Sequence, residues 1–192
     1  MKQVRKELSD LQLRMAYSRE HISVQIERLG KEISKDYAGQ DVVVIVVLTG
    51  ALFFAADLIR QLNVPLLIDS VQLASYQGMH STGNVTFIKD VSLVLKDRNV
   101  LVVEDIIDTG LSLCSLIDDL RMRGVRDIRV CTLIDKQENR RCEIFPDYVG
   151  MASSGGFLVG YGLDFDGRFR ELPDIYEVIS DTCSGGHNDR PV

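Results

Sequence analysis

The sequence has few positive charges for a protein that would bind polyanions. Its 192 residues include 22 Lys and Arg against 28 Asp and Glu, which gives a formal net charge of -6. Proteins that bind nucleic acids or membrane surfaces need clustered Lys and Arg, and no basic stripe is conspicuous here. We therefore expect neither partner. A small anionic substrate is compatible with this charge, because one phosphate pocket needs only local amides and a metal ion.

The sequence also lacks long apolar segments and metal-type cysteine spacing. Its longest apolar run, Val42–Leu48, is far shorter than the ~20 residues that a membrane-spanning helix requires. The N-terminal residues lead into no apolar run of the secretory type. The four cysteines show neither C-x-x-C spacing nor a histidine pattern suited to zinc. These absences predict a cytoplasmic protein with reduced thiols, in which Cys114 and Cys131 are small core residues.

What the sequence does contain is an alternation of strand and helix patterns. The β-branched runs at 42–48 and 100–103 predict strands that are buried on both faces, as in a parallel sheet covered by helices. Residues 51–62 have the spacing of a returning helix. Residues 77–84 form a long polar loop between two strand-like segments, and such loops are often lids. We predict one α/β domain over residues 1–183 and a disordered tail over 184–192.

The segment over residues 100–112 carries the chemistry. An apolar strand leads into two acids, Glu104 and Asp105, and a turn through Gly110 opens the next helix. Ligands of open α/β sheets bind beyond the carboxyl ends of the strands, and free amides at a helix start favour a phosphate monoester. No G-x-x-x-x-G-K-[ST] motif is present, which excludes a Walker A loop. Adjacent carboxylates can accept hydrogen bonds from two ribose hydroxyls or can bind a hydrated magnesium ion. The segment is therefore interpreted as a binding site for ribose 5-phosphate.

The sequence EDIIDTG at 104–110 is similar to the phosphoribosyl pyrophosphate (PRPP) signature of type I phosphoribosyltransferases. Over roughly residues 36–179 the chain resembles the hypoxanthine or hypoxanthine-guanine branch, through LTG, ASYQG, EDIIDTG, CTLIDK, DYVG, FLVGYGLD and RFRELP. The resemblance implies an α/β fold with a mainly parallel twisted sheet flanked by helices. It also implies a flexible antiparallel lid hairpin that begins at Ser75 and Tyr76, and a small hood made by the N-terminal region and residues 150–180.

The resemblance implies which residues bind PRPP. Glu104 and Asp105 would hold the ribose hydroxyls, and the loop from Asp108 would wrap the 5′-phosphate. The implied set is Glu104, Asp105, Ile107, Asp108, Thr109, Gly110, Leu111, Ser112, Thr49, Gly50 and Arg170. Asp108 would also be the catalytic base for the proton at purine N7, although a helix cap is the alternative interpretation. The implied cofactor is Mg²⁺, with Asp164, Glu104 and Asp105 as its carboxylates.

A second implied set binds the purine. Lys136 would donate to the exocyclic oxygen of a 6-oxopurine and would meet an unmatched amino group in adenine. Phe157 would stack on the base, the backbone of Leu158 would contact its edge, and Ile106 belongs to the same set. On the residues alone, Lys136 would be a surface lysine and Phe157 a core residue.

Two positions depart from the family pattern. The turn Leu48-Thr49-Gly50 has threonine where relatives usually have a basic residue, in a turn that often contains a cis peptide. Residues 152–156 are ASSGG where relatives commonly have I-P-D followed by a charged residue. Gly155 and Gly156 therefore leave open the choice among hypoxanthine, guanine and xanthine.

The sequence as a whole predicts transfer of the 5-phosphoribosyl group from PRPP to N9 of a 6-oxopurine. Hypoxanthine is the expected base and guanine a further candidate, with IMP or GMP and pyrophosphate as products of purine salvage. One alternative is a phosphoribosyltransferase for xanthine, adenine or a pyrimidine. Another is a weakly active PRPP or nucleotide sensor of the same fold. The resemblance implies a homodimer or a homotetramer.

Overall fold

The structure, a computed structural model, describes residues 12–74, 86–153 and 155–179 of the chain. The expected lid residues Ser75 and Tyr76 and the expected tail at 184–192 lie outside these ranges. The described elements are, in chain order, β1 (Gln12–Tyr17), α1 (Arg19–Asp36), β2 (Val42–Leu48), α2 (Leu52–Gln61), β3 (Leu66–Ala74), β4 (Thr86–Lys89), β5 (Asn99–Ile107), α3 (Leu111–Met122), β6 (Asp127–Asp135), β7 (Tyr148–Ala152), β8 (Phe157–Val159) and β9 (Ile175–Ile179).

A six-stranded sheet has the order β4-β3-β2-β5-β6-β7. All its neighbouring pairs are parallel except β3 and β4, which are antiparallel. The central strand β2 is buried along residues 42–47, as its uninterrupted β-branched sequence predicts. The mainly parallel α/β sheet expected from the sequence is thus confirmed, and it places the ends of β2, β5 and β6 at one edge.

Helices cover both faces of this sheet. The N-terminus of α1 is capped by Ser18, whose side-chain oxygen accepts from the amide of His21 at 3.3 Å. The apolar face predicted for this helix is buried, namely Ile22, Ile26, Leu29 and Ile33. Helices α1 and α2 pack with the core on one face, while the apolar side of α3 packs on the other. No helix in the described ranges is long and apolar enough to cross a membrane.

A smaller antiparallel sheet has the order β1-β9-β8. It joins residues 12–17 to two segments that follow β7, so the N-terminal region and residues 157–179 meet there. The sequence pattern did not predict β1 or β9. Tyr17 connects the two sheets, because its hydroxyl donates to the carbonyl of Ala152 at the end of β7, at 3.1 Å.

The cysteines differ in part from expectation. Cys131 is a buried free thiol, which confirms its interpretation as a small core residue. Cys114, however, is bonded to Cys142, with 6.9 Å between their Cα atoms. The expectation of reduced thiols is therefore wrong for this pair, whereas the half-buried Cys114 does pack against the core as predicted. The physical reason is that the segment at 140–144 packs behind the start of α3, and the separation of 28 residues leaves no local pattern.

Candidate active site

The two acids of the PRPP signature lie near the carboxyl end of β5. The strand continues to Ile107, so the acids lie within it and the turn begins only at Asp108, which corrects the expected strand end. The carboxylate of Asp105 accepts from the amide of Ile106 at 2.9 Å, and that of Glu104 accepts from the amide of Asp105 at 3.1 Å. The two side chains are therefore held against the backbone of the strand itself.

Burial and mutual repulsion shape the charge of this pair. Burial raises the pKa of Glu104 well above the usual carboxyl value, and the adjacent carboxylate of Asp105 raises it further. Two carboxyl groups in such a position gain most from a ligand that donates hydrogen bonds or carries positive charge. Vicinal hydroxyls of a ribose and a hydrated metal ion both meet this description.

Gly50 is the point where three segments meet. A Cβ atom at Gly50 would lie 1.9 Å from the Oδ2 atom of Asp105, and a Cβ atom at Gly162 would lie 2.0 Å from the carbonyl oxygen of Gly50. Only glycine at both positions allows the turn after β2, the β5 acids and residues 160–163 to lie together. The Leu48–Thr49 peptide bond is cis, as the resemblance implies, and Thr49 is exposed.

The turn after β5 presents a polar surface at the start of α3. The Oδ1 atom of Asp108 is buried and has no hydrogen-bond partner among the described residues. The first amides of α3 have no acceptor within the helix, and no acidic residue lies in its first turn. Thr109 and Ser112 are half-buried, Leu111 is exposed and Ile107 is buried.

Gly110 is part of this loop, and its backbone is in the left-handed region with a φ of 79°. A Cβ atom there would lie 2.8 Å from Ile144 and 2.9 Å from the sulfur of Cys142. The crowding at this glycine thus comes from protein side chains of the segment at 140–144. Glycine at this position lets the segment at 140–144 support the loop directly.

Lys136 lies beside the same loop and is not a surface residue. It follows β6 directly and is only 8% exposed. Its amide donates to the carbonyl of Ile107 at 2.9 Å, and its ammonium group donates to the carbonyl of Gly156. One residue therefore spans the distance from the turn after β5 to the segment before β8. The purine-binding role predicted for Lys136 requires this kind of placement.

The other residues of the predicted purine set have different environments. Phe157 is 50% exposed, so it is not the core residue that its type alone would suggest. Its ring meets that of Phe165 edge-to-face, with 5.5 Å between centroids. The side chain of Leu158 is buried in the core, which leaves only its backbone for a ligand, and Ile106 packs against the same core.

Asp164 and Arg170 form an ion pair rather than two independent surface charges. Their Oδ1 and Nη2 atoms are 2.7 Å apart, and Arg170 also donates to the carbonyl of Gly162 at 2.5 Å. Because Gly162 packs on Gly50, this pair belongs to the same edge as the turn after β2. The structure thus brings the predicted pyrophosphate residues near one another.

The donor atoms at this edge fit magnesium. No group of three acidic, histidine or cysteine side chains that could hold a metal exists among the residues that the structure describes. Mg²⁺ is usually bound by one or two carboxylates together with water and substrate phosphates, so a complete protein cage is not required. The hard oxygen atoms of Asp164, Glu104 and Asp105 match that preference. Their predicted metal role stays a prediction.

Two polar residues at this edge escaped the sequence interpretation. Asp135 ends β6 and is 4% exposed, and the guanidinium of Arg140 contacts its carboxylate. An acid at the end of a buried strand, next to Lys136, was an available signal for Asp135. Arg140 lies in a polar stretch without periodicity, and no feature of the sequence distinguishes it from Arg141.

Comparison with known proteins agrees with this geometry. The sequence pattern of the phosphoribosyl transferase domain matches residues 16–166. The hypoxanthine-guanine-xanthine phosphoribosyltransferase of Tritrichomonas foetus is 41% identical over 169 residues, covering 88% of this chain and 92% of the relative. The hypoxanthine phosphoribosyltransferase of Buchnera aphidicola is 38% identical over 170 residues, covering 87% and 96%.

Solved structures lead to the same family. A crystal structure of a hypoxanthine phosphoribosyltransferase from Staphylococcus aureus superposes with a TM-score of 0.86 at 35% identity, covering 93% of this chain and 97% of that one. These relatives are enzymes, which argues against a sensor without turnover. The chain therefore belongs to the phosphoribosyltransferase family and to its hypoxanthine-guanine branch, as the motifs of its sequence predicted.

Proposed function

We propose that this enzyme transfers the 5-phosphoribosyl group of PRPP to N9 of a 6-oxopurine, with release of pyrophosphate. The observation that carries the proposal is the bond between the amide of Lys136 and the carbonyl of Ile107. It holds Lys136 beside the turn that begins at Asp108, whose buried Oδ1 atom has no hydrogen-bond partner within the described ranges. A donor for purine O6 and an acceptor for the N7 proton are thereby fixed on adjacent segments.

The ribose phosphate would bind along β5 and the start of α3. Glu104 and Asp105 would accept from the two ribose hydroxyls, which relieves the repulsion between their carboxyl groups. The 5′-phosphate would bind the amides of residues 109–112, where the helix dipole favours an anion. The Thr109 and Ser112 hydroxyls are suited to add donors at this point.

The pyrophosphate would leave on the side of Gly50 and Arg170. Main-chain groups of the turn at Thr49 and the guanidinium of Arg170 would orient it, and Asp164 would help to hold its metal ion. Bound with PRPP, Mg²⁺ supplies charge neutralisation for the departing pyrophosphate. The chain's own contribution is to hold donors where negative charge develops.

Asp108 would act as a general base. An unpaired buried carboxylate oxygen costs stability, so its presence is best explained by a ligand that supplies a donor. As N9 bonds to C1′, the proton at purine N7 becomes acidic, and Asp108 would accept it. In this arrangement the base would stack on Phe157 and its O6 atom would accept from the Lys136 ammonium group.

The purine preference has three candidates, namely hypoxanthine, guanine and xanthine. Hypoxanthine and guanine follow from the branch to which the chain belongs, while the relative from Tritrichomonas foetus is named for xanthine as well. Lys136 donates equally well to the O6 atom of all three. Gly155 and Gly156 depart from the usual family sequence. The carbonyl that the Lys136 ammonium group contacts is that of Gly156.

A single assay tests the proposal. Pyrophosphate release is measured with PRPP and Mg²⁺, separately with hypoxanthine, guanine, xanthine, adenine and orotate, and without a base. We expect release with hypoxanthine or guanine and little with adenine, and the nucleotide product is verified by mass. Turnover of adenine or orotate in preference to every 6-oxopurine would refute the proposed substrate class. Cytoplasmic location and assembly as a homodimer or homotetramer stay predictions, and sedimentation of the purified protein checks the latter.

A further inference from the structure

Arg140 lies behind the proposed active site and joins three segments through one guanidinium group. Its Nε atom donates to the carbonyl of Asp108 at 3.2 Å, and its Nη2 atom reaches the carbonyl of Ile107 at 3.4 Å. The same Nη2 atom contacts the carboxylate of Asp135, and Nη1 donates to the carbonyl of Ile144 at 2.6 Å. The ends of β5 and β6 and the loop at 140–144 thus share one cation.

The ion pair of Arg140 and Asp135 is largely buried, unlike an ion pair at the protein surface. The side chain of Arg140 is 15% exposed and that of Asp135 is 4% exposed. The carboxylate of Asp135 is also held by the side-chain amide of Gln137, at 3.0 Å. Buried charges that are paired and hydrogen-bonded on several sides hold their surroundings in one geometry.

The two residues that would contact the purine are attached to the segments that Arg140 joins. Asp108 follows Ile107 at the end of β5, and Lys136 follows Asp135 at the end of β6. Ile107 and Asp135 are partners in the parallel ladder, so Asp108 and Lys136 begin at the same level of the sheet. Beyond that level the ladder ends, and the Arg140 contacts continue the connection.

We propose that Arg140 is a positioning residue that fixes the Asp108 carboxylate relative to the Lys136 ammonium group. This inference rests on the proposed function. Arg140 contacts the backbone of Asp108 and touches neither substrate in the proposed arrangement, so it acts through Asp108 and Lys136. A displacement of about 1 Å in a catalytic group can lower a rate ~100-fold. Holding Asp108 in place can therefore outweigh the cost of burying the charge of Arg140.

Lysine distinguishes positioning from simple charge neutralisation. A lysine at position 140 keeps the positive charge and can pair with Asp135. It cannot reproduce a planar fork that donates at once to carbonyls on two sides, because its donors extend from a single nitrogen. Arg140→Lys should therefore keep most of the fold's stability while losing the brace.

The experiment compares Arg140→Lys with wild type and with a matched control, Arg141→Lys. The side chain of Arg141 is exposed, and its backbone amide, which the substitution keeps, donates to the carbonyl of Thr109 at 2.9 Å. Steady-state kinetics with hypoxanthine and PRPP are measured at a fixed concentration of reductant, so that the Cys114–Cys142 pair is in one state throughout. Urea unfolding of each variant is measured in parallel.

We expect Arg140→Lys to lower kcat/KM for hypoxanthine at least tenfold and Arg141→Lys to change it less than twofold. The decisive readout is the same substitution in an Asp108→Asn background, where it should lower kcat less than threefold because the group that it positions is already gone. Should a variant fold poorly, its kcat is divided by the folded fraction from the urea measurements, and the comparison with and without the Asp108 carboxylate still decides.

Two results would overturn the positioning role. One is an Arg140→Lys enzyme with hypoxanthine kinetics within twofold of wild type. The other is an equal loss of kcat with and without the Asp108 carboxylate, which indicates a structural effect unrelated to that group. A wild-type protein that releases no pyrophosphate with any 6-oxopurine would refute the proposed function itself. The two failures are thus distinguishable.

Discussion

Lys136→Met isolates the contribution of one ammonium group to purine recognition. Methionine keeps an unbranched side chain of similar length, so the buried stem of Lys136 retains its packing while the charge and donors are lost. The residue is 8% exposed and its ammonium group donates to the carbonyl of Gly156, which lies directly before Phe157. A 6-oxopurine that enters this edge would accept from the same nitrogen.

The size of the effect follows from the burial of that donor. A hydrogen bond that involves a charged group contributes roughly 1.5–3 kcal/mol, and each 1.36 kcal/mol corresponds to about a tenfold change in rate. We therefore expect kcat/KM for hypoxanthine to fall roughly 10- to 150-fold. The KM for PRPP should change by no more than about threefold, because Lys136 is assigned to the base rather than to the sugar phosphate.

The assay is steady-state pyrophosphate release with varied hypoxanthine, repeated with varied PRPP and with adenine. Lys31→Met is the matched control, since Lys31 is an exposed lysine of α1, a helix that carries none of the proposed site residues. The preference for hypoxanthine over adenine should fall in the Lys136 variant alone. A Lys136→Met enzyme whose hypoxanthine kcat/KM stays within twofold of wild type would refute the assignment of the purine donor.

Three further substitutions test other parts of the site. Asp108→Asn should lower kcat about 10²- to 10⁴-fold with little change in PRPP binding, and near-normal turnover would remove its role as general base. Glu104→Gln should weaken PRPP use yet stabilise the metal-free protein above the raised native pKa of Glu104, because deprotonation of that buried group costs stability as pH rises. In urea unfolding the gain should be absent below pH 4.5, the usual carboxyl pKa, and should grow as the pH is raised; a gain that does not change with pH contradicts the electrostatic cause. Thr49→Lys should lower the KM for PRPP by up to about fivefold, since an exposed ion pair contributes ~0.2–1 kcal/mol, and an unchanged KM would show that the turn does not need the cation.

Elements whose residues all lie in the core, or that bury one regular face, were predictable from the sequence. β2 lies inside the sheet with helices on both faces, so each of its residues must be apolar and the sequence shows it directly. The helical face of α1 was equally clear, because one side of it is buried while the rest is exposed. The family motifs added the placement of Asp164 and Arg170, which no local pattern would have revealed.

What the sequence could not predict depends on contacts between distant segments. β1 and β9 belong to a small sheet in which few residues of either strand are fully buried, so neither shows an alternation strong enough to predict a strand. The bond between Cys114 and Cys142 and the contacts of Arg140 both arise because the loop at 140–144 folds behind α3. No spacing rule connects residues that only the complete chain brings together.

The charges at this edge indicate how an acidic protein could accept an acidic substrate. Arg170 is already paired with Asp164 at 2.7 Å, and the Lys136 ammonium group already donates to a main-chain carbonyl. Thr49 adds no charge at the turn after β2, and the carboxyl pair of Glu104 and Asp105 adds negative potential beside the proposed sugar. Attraction for PRPP must then come mainly from main-chain amides and from the cation that accompanies the substrate. We therefore expect the magnesium complex of PRPP, rather than the free anion, to be the form that this site binds.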